Sequence, residues 1–593
     1  MNKLIDNYID NNLNIYNTVS FTVFPLFITI QFGPEWFRYN LSKIIFFYIF
    51  ILFLNLINLK IDLKKLFYFS SLSLIINFNS FLKLLNDAHG FRQNQNALSV
   101  RFMVENGISV LNPLPVFGIN SFVPFEFPFL QIFSSILQKT SISEELTLRP
   151  VAWLIYILFI YFAYLTICKL ENILFADIFV IYMVFHPLLY KYSNSYMIEF
   201  IPHLFGILSI YFLIKVNNFY SILFLSFCLI AKVTTGGLYL VYWFLIKIFV
   251  LNHSYKSSLL KLLIPLFPTL LWNIYIDLIK NSNELTIWLT SSNLRSWNFG
   301  RISQYTDINV LRKIISFLST LILSSDFKYL GLLLILVIFI IRKESIFALG
   351  IPFVFINLYY SHDYYYLAVI PFLIYFLIKS SNSFFKKIYQ IPFLLTLLII
   401  INLGMNTNSD YEYRIAYKEL NNLEKSTLAK ELEVIQYRNV YISSPQQDWN
   451  STLFYESNKY GLMWLKRYEE LGNTIMDPAK IVENNLQIFI FEEGNLNSDH
   501  FEIYLENIFD QYPSLIIDFV EETYSDDARS NQEFNYVLTY PGVAESNDIN
   551  ITKMNKNSFE NKFINELLIS KNLKDELNLF FNNNLIYTLS CKL

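Results

Sequence analysis

The chain has 593 residues, 54% of them hydrophobic and only 16% charged, against about 25% charged in soluble proteins. A mean hydropathy of +0.38 and a net charge of −3 exclude an ordinary cytosolic enzyme and leave no electrostatic footprint for nucleic acid. The composition is that of an α-helical polytopic membrane protein.

The N-terminus, MNKLIDNYIDNN, carries acids and no cleavable signal pattern. A spanning helix needs roughly 20 mostly apolar residues. Segments of that kind are expected at about 17–33, 42–59, 66–85, 150–168, 172–190, 198–215, 218–232, 235–251, 259–279, 326–341, 344–360, 364–379 and 390–404, about 13 in all. Lysine and arginine bias orients them. Lys60, Lys64, Lys65, Lys215, Lys256, Lys261, Arg342, Lys343, Lys379, Lys386 and Lys387 fall on one side, which is therefore cytoplasmic. The loop 86–148, the loop 281–310, the turn at His362 and everything after about Met405 then lie outside. Cys168 and Cys228 sit in apolar runs, so neither a disulfide framework nor a cysteine metal cluster is implied.

The first external loop is the most informative stretch. From Asn86 it reads NDAHGFRQNQNALSVRFMVENGISVLNPLPVFGINSFVPFEFPFLQ. Asp87 ends a span and opens the loop. A carboxylate there can take a proton from an acceptor hydroxyl, and partial desolvation would lift it above the ordinary value near 3.9 toward a useful base. The alternative is a helix-end Asp facing water. His89, Arg92, Gln93 and Gln95 follow within eight residues, and Arg92 can grip a phosphate with two parallel hydrogen bonds. Residues 93–105 mix apolar and polar positions as a surface-lying amphipathic helix does, with Gly107 as a stop. Glu126 is flanked by apolar residues and calls for a partner. That partner is either a sugar hydroxyl or an arginine, Arg92 or Arg101.

DAHGFRQNQNAL, then ENG, then VPFEFPFLQ resembles the first external loop of bacterial membrane glycosyltransferases of the dolichyl-phosphate-mannose-protein mannosyltransferase-like group, which includes the aminoarabinose transferases and the Rgt-type core sugar transferases. Asn94 and Asn96 stand where members often carry threonine. The resemblance covers roughly 66–370 and implies a GT-C fold and a polyprenyl-phosphate-linked sugar donor. It also implies a catalytic carboxylate, matched here by Asp87. Donor phosphate and sugar contacts are then expected from His89, Arg92, Gln93 and Glu126. To these we add Lys232, at an external span end, and His362 and Tyr365 in SHDYYY (361–366). Snorkelling is the alternative for Lys232, and an interfacial aromatic belt for the tyrosines. Glu199 is a second external carboxylate. Arg295, Trp297 and Arg301 are further candidate contacts. His186, His203 and His253 are scattered singly and read as structural or exposed.

The expected fold is thus GT-C-like, with residues 1–404 in the membrane domain. Residues 405–593 form an extracytoplasmic α/β domain. In that domain 440–444, 486–493 and 514–522 read as strands, 450–471 has helical spacing, and 555–586 is Asn-rich. The expected function is transfer of a sugar from a polyprenyl-phosphate donor to a cell-envelope lipid, glycan or protein at the outer face of the plasma (inner) membrane, with inversion. No cofactor is evident; the scheme needs no metal, and a divalent ion stays open. The alternatives are a transporter or flippase for lipid-linked glycans, and a polymerase or ligase using diphosphate-linked oligosaccharides. A transporter calls for charges buried mid-span, whereas the charges in this sequence cluster at external span ends.

Overall fold

The computed structural model describes residues 89–111, 125–282, 286–322, 328–384 and 450–465, the strands named below, and scattered residues within 66–85 and 429–433. The expected spans at 17–33, 42–59 and 390–404 lie outside the described residues, as do most of 66–85 and Asp87 itself.

Among the described residues, three helices are long and apolar enough to cross a membrane: Glu144–Leu170, Val233–Val250 and Tyr255–Asn281. Shorter apolar helices run alongside, among them Phe200–Ile214, Asn218–Ala231 and Lys328–Ile341. Three features of the sequence break the remaining expected spans. His186 and Pro187 interrupt 172–190, giving helices Ile173–Phe185 and Pro187–Tyr192. The proline supplies no N–H and suits a first helical turn, and His186 Nδ1 accepts from the Leu188 amide at 3.2 Å. The segment 344–360 divides at Phe355, after Pro352, into Ile346–Val354 and Ile356–Ser361. The expected span at 364–379 begins with a tight 3-10 stretch, Asp363–Ala368, before helix Ile370–Phe384.

The interior is apolar and aromatic, with Tyr156, Tyr182, Tyr192, Tyr196, Tyr239 and Trp243 fully buried. A buried hydroxyl needs a partner. Tyr156 donates to the Met183 carbonyl at 2.9 Å and Tyr182 to the Ile322 carbonyl at 2.8 Å. Helices Phe200–Ile214 and Asn218–Ala231 are joined by a short turn and are tied by reciprocal bonds. Ser209 Oγ donates to the Ser221 carbonyl at 2.7 Å, and Ser221 Oγ to the Ser209 carbonyl at 2.9 Å. Gly206 permits the approach of Val233–Leu245: a Cβ there would lie 2.3 Å from the Tyr239 ring. His186 and His203 are buried, the latter with its Nδ1 3.1 Å from the Tyr239 hydroxyl, and His253 is exposed. Asp177 is buried within helix Ile173–Phe185. Lys247 is buried in the last turn of Val233–Val250, with its Nζ 4.3 Å from the Trp243 ring centroid.

The C-terminal part carries a seven-stranded sheet in the order β2-β1-β3-β5-β4-β7-β6. The strands are β1 (Asn439–Ser444), β2 (Tyr460–Leu465), β3 (Ile488–Glu492), β4 (Ile516–Asp518), β5 (Phe534–Thr539), β6 (Leu577–Asn582) and β7 (Ile586–Cys591). β2, β1 and β3 pair in parallel, with Tyr441 opposite Leu462 and Phe489, and the other neighbours are antiparallel. The helix expected over 450–471 is corrected. Among the described residues of that stretch, 450–465, only Thr452–Glu456 is helical, and β2 follows at Tyr460. Asn458 takes φ 57° and Gly461 φ 151°. A left-handed residue followed by an extended glycine cannot continue a right-handed helix.

Candidate functional site

The loop helix Gly90–Asn106 starts behind His89, whose backbone is left-handed at φ 53°. It ends at Gly107, whose φ of 102° favours glycine. The amphipathic surface helix expected here is corrected, because the polar side chains face inward. Gln93, Asn94, Gln95 and Ser99 are all buried. Gln93 Oε1 accepts from the Tyr196 amide at 2.8 Å, and Asn96 Nδ2 donates to the Tyr196 carbonyl at 3.1 Å. Two side chains one turn apart thus hold both backbone groups of one residue. Gln131 Nε2 completes the set by donating to Asn96 Oδ1 at 2.8 Å. These amides satisfy buried backbone, and Gln93 is spent on scaffold: it is fully buried against Tyr196.

On its other side the helix faces a pocket lined by Arg92, Asn96, Glu126, Glu199, Lys232, Tyr364 and Tyr365, with Met197 and Ile198 beneath. Arg92 Nη2 donates to both carboxylate oxygens of Glu126, at 2.9 and 3.2 Å. The side chains of this pair are 21% and 32% exposed. Burial is the largest influence and opposes the Arg92 charge, but Glu126 together with Tyr364, Tyr365 and Glu199 outweighs it, and the guanidinium pKa is raised. Burial likewise pushes Glu126 up, while Arg92 and then Lys232 pull it down further, leaving it below the usual carboxylate range. Lys232 Nζ donates to Glu199 Oε2 at 2.5 Å, with side chains only 9% and 5% exposed. Its ammonium sits 4.5 Å from the Tyr365 ring centroid and 5.2 Å from that of Tyr364, within cation–π range.

Beside the pocket a second cluster gathers on Asp363. Lys191 Nζ donates to its Oδ2 at 2.6 Å and the Tyr192 hydroxyl to its Oδ1 at 2.7 Å, with His89 Nε2 at 3.1 Å from Oδ1. Burial pushes the Asp363 carboxyl up, but these three donors hold it well below its ordinary value. The His362 ring stacks on Tyr364 at 5.2 Å and meets His89 at 5.5 Å and Trp297 at 6.1 Å, centroid to centroid. Burial, then the neighbouring His89, lowers its pKa to about 4, so at neutral pH it is an uncharged hydrogen-bonding group.

Six of the expected residues are therefore drawn together: His89, Arg92, Glu126, Lys232, His362 and Tyr365. Asp87 lies outside the described residues, two positions before His89. Arg295 and Arg301 are exposed and do not line the pocket. Asp363, Lys191 and Tyr192 had not been singled out, and Asn96 only as standing where threonine is often found. Asp363 stood in plain view within SHDYYY, but its partners lie 171 to 274 positions away. Arg149 was also missed. It is buried and donates from Nη2 to the Leu84 carbonyl at 2.6 Å, tying down the backbone just ahead of Asp87.

The chain is thus a helical protein with helices of membrane-crossing length and a charge-paired, aromatic-lined pocket at their ends. No protein-family model matches it, and no curated protein matches it. Among solved structures it is similar to ArnT from Cupriavidus metallidurans bound to undecaprenyl phosphate, with 12% identity over 80% of this chain and 97% of that one, at a TM-score of 0.44. It is similar to the archaeal oligosaccharyltransferase AglB from Archaeoglobus fulgidus, in complex with an inhibitory peptide and a dolichol-phosphate, with 11% identity over 80% of this chain and 74% of that one, at 0.44. It is also similar to the arabinofuranosyltransferase AftD from Mycobacteria, with 10% identity over 80% of this chain and 41% of that one, at 0.40. All three are GT-C glycosyltransferases. Likenesses at this level carry no residue-by-residue information, and the chemistry has to come from the chain's own side chains.

Proposed function

We propose that the chain is a multi-pass membrane glycosyltransferase with a GT-C-like domain at 1–404, about 13 spans and an extracytoplasmic α/β domain at 405–593. It transfers a sugar from a polyprenyl-phosphate donor to a cell-envelope acceptor on the outer face of the plasma (inner) membrane. The observation that carries this reading is the convergence on one pocket of two cations, Arg92 from the loop helix and Lys232 from the start of Val233–Leu245, with Tyr364 and Tyr365. That set suits a phosphate esterified to a lipid, because guanidinium and ammonium offset its charge and the aromatic rings offer faces to the sugar or the chain.

In this scheme Asp87 takes the proton of the acceptor hydroxyl as its oxygen attacks the anomeric carbon. The bond from that carbon to the phosphate oxygen breaks, the polyprenyl phosphate leaves with the electron pair, and the anomeric centre inverts. Arg92 and Lys232 stabilise the phosphate as its charge grows. His362, neutral at pH 7, contributes a hydrogen bond and no charge. The partly exposed Arg92–Glu126 pair opens to admit the phosphate, leaving Glu126 for a sugar hydroxyl. These steps as written require no metal.

The test is sugar transfer from labelled polyprenyl-phosphate-sugar by the purified protein and by Asp87→Asn. Loss of turnover with retained donor binding supports Asp87 as the base; unchanged turnover removes it from the chemistry.

A further inference from the structure

The loop helix is gripped from two sides. Arg92 and Asn96, one turn apart, face the pocket. Asn94 lies two residues from Arg92, about 200° around the helix axis. Asn94, Arg101 and Glu105 form a second stripe spaced at two turns and one turn. Every member of that stripe meets the C-terminal segment 452–460. Asn94 Nδ2 donates to Thr452 Oγ1 at 3.0 Å. Arg101 Nη1 donates to the Tyr455 carbonyl at 2.7 Å, with its guanidinium carbon 4.5 Å from the Tyr455 ring centroid. The Tyr460 hydroxyl donates to Glu105 Oε2 at 3.1 Å, while its ring packs edge-on against Phe102 at 5.6 Å. Arg101 Nη2 also reaches Glu144, at 3.1 and 3.2 Å, which ties the same residue to the start of the helix that crosses behind.

We infer that the segment Thr452–Tyr460 is a positioning clamp: by holding the far stripe of the loop helix, the C-terminal part sets where Arg92 and Asn96 stand in the pocket. The consequence for ligand binding rests on the donor reading above; the clamp itself does not. The physical reason is the helix's composition. Its buried positions include four polar side chains, so hydrogen bonds carry much of its fixation. A helix end carrying a phosphate-gripping arginine must be held closely, because a displacement of about 1 Å at such a group costs on the order of 10²-fold in rate. Thr452, Tyr455 and Tyr460 are positioning residues: they act through the helix and do not line the pocket.

The experiment uses the full chain in detergent or nanodiscs, carrying Thr452→Val together with Tyr460→Phe, which removes two hydroxyls and no apolar volume. Amide hydrogen exchange is followed over 90–106, with Arg149–Leu170 as the internal reference, and binding of undecaprenyl phosphate is measured on the same samples. The expected result is exchange faster by about tenfold over 90–106, from the loss of the two hydrogen bonds that reach the loop helix (the Thr452 hydroxyl's bond to Asn450, within the C-terminal segment, goes with them), with the reference unchanged and lipid-phosphate affinity lowered several-fold. Unchanged exchange over 90–106 overturns the clamp. Faster exchange with unchanged affinity overturns its link to the pocket and leaves a packing contact. Should the double variant fail to fold, Tyr460→Phe alone and the pair Arg101→Lys and Arg101→Ala replace it. The lysine is expected to restore part of the protection lost with alanine, and equal loss in both contradicts the inference. A wild-type protein that binds no undecaprenyl phosphate sinks the donor reading, while the exchange result still decides the clamp.

Discussion

Two ion pairs line the same pocket and are built differently. Arg92–Glu126 keeps about a fifth to a third of each side chain exposed, whereas Lys232–Glu199 is almost closed off. A partly exposed pair can trade its partner for a ligand at small cost. A closed pair cannot, because removing one member strands a charge away from water. On the proposed reading, Arg92 is therefore the working cation, and Lys232, whose ammonium is committed to Glu199 and to the Tyr365 ring, is the fixed one.

The largest effect should come from breaking the fixed pair. Glu199→Gln leaves the Lys232 charge buried without its carboxylate and should cost about 3–5 kcal/mol of stability, read by thermal or chemical unfolding in detergent. Adding Lys232→Met to Glu199→Gln should recover most of it. A single variant as stable as wild type would mean that the two pairs do not differ in kind.

Next is the working cation. Arg92→Ala should lower transfer about 10²–10³-fold while moving the unfolding transition far less than Glu199→Gln does. Arg92→Lys should recover only part, because a point charge cannot reproduce the planar fork. Equal loss of stability and turnover in Arg92→Ala would place Arg92 with the fixed pair.

A smaller effect is set by pH. His362 has a folded pKa of about 4, below the ordinary 6.5, so the unfolded chain binds the proton more tightly. Stability should fall as pH drops from about 6.5 toward 4, and His362→Gln should flatten that part of the curve. Asp363, held below its ordinary value of 3.8, contributes stability above that value that is lost as pH falls further. Asp363→Asn should therefore remove a loss confined to the more acid window. Smallest of all is Tyr365→Phe, which keeps the ring beside Lys232 and should change stability and donor affinity by less than about threefold; a larger change would give its hydroxyl a direct part in binding.

Part of the site was legible because some of its residues stand in one loop, while Lys232, His362 and Tyr365 drew notice only as polar groups at external span ends. Arg92 and Glu126 come from one loop, and Glu126 calls for a partner in so apolar a run. The inward turn of Gln93, Asn94 and Gln95 was not legible, since a mixed polar and apolar helix reads as amphipathic only if its polar face meets water. Here that face meets the backbone of Tyr196 and the segment at Thr452. Asp363 escaped notice because its donors come from His89, Lys191 and Tyr192, far away in sequence. The β2 strand was misread because its apolar spacing is compatible with a helix until Asn458 and Gly461 are given their backbone angles.

The central claim is that the pocket takes a polyprenyl monophosphate bearing a sugar and forms a glycosidic bond. The most direct measurement gives the purified wild-type protein, in liposomes, labelled sugar on polyprenyl monophosphate or on polyprenyl diphosphate, together with a cell-envelope extract as acceptor. The account predicts that label moves into the acceptor from the monophosphate donor, with inversion at the anomeric carbon and release of polyprenyl phosphate. Labelled lipid that crosses the bilayer intact without any new glycosidic bond, or transfer from the diphosphate donor alone, would contradict it.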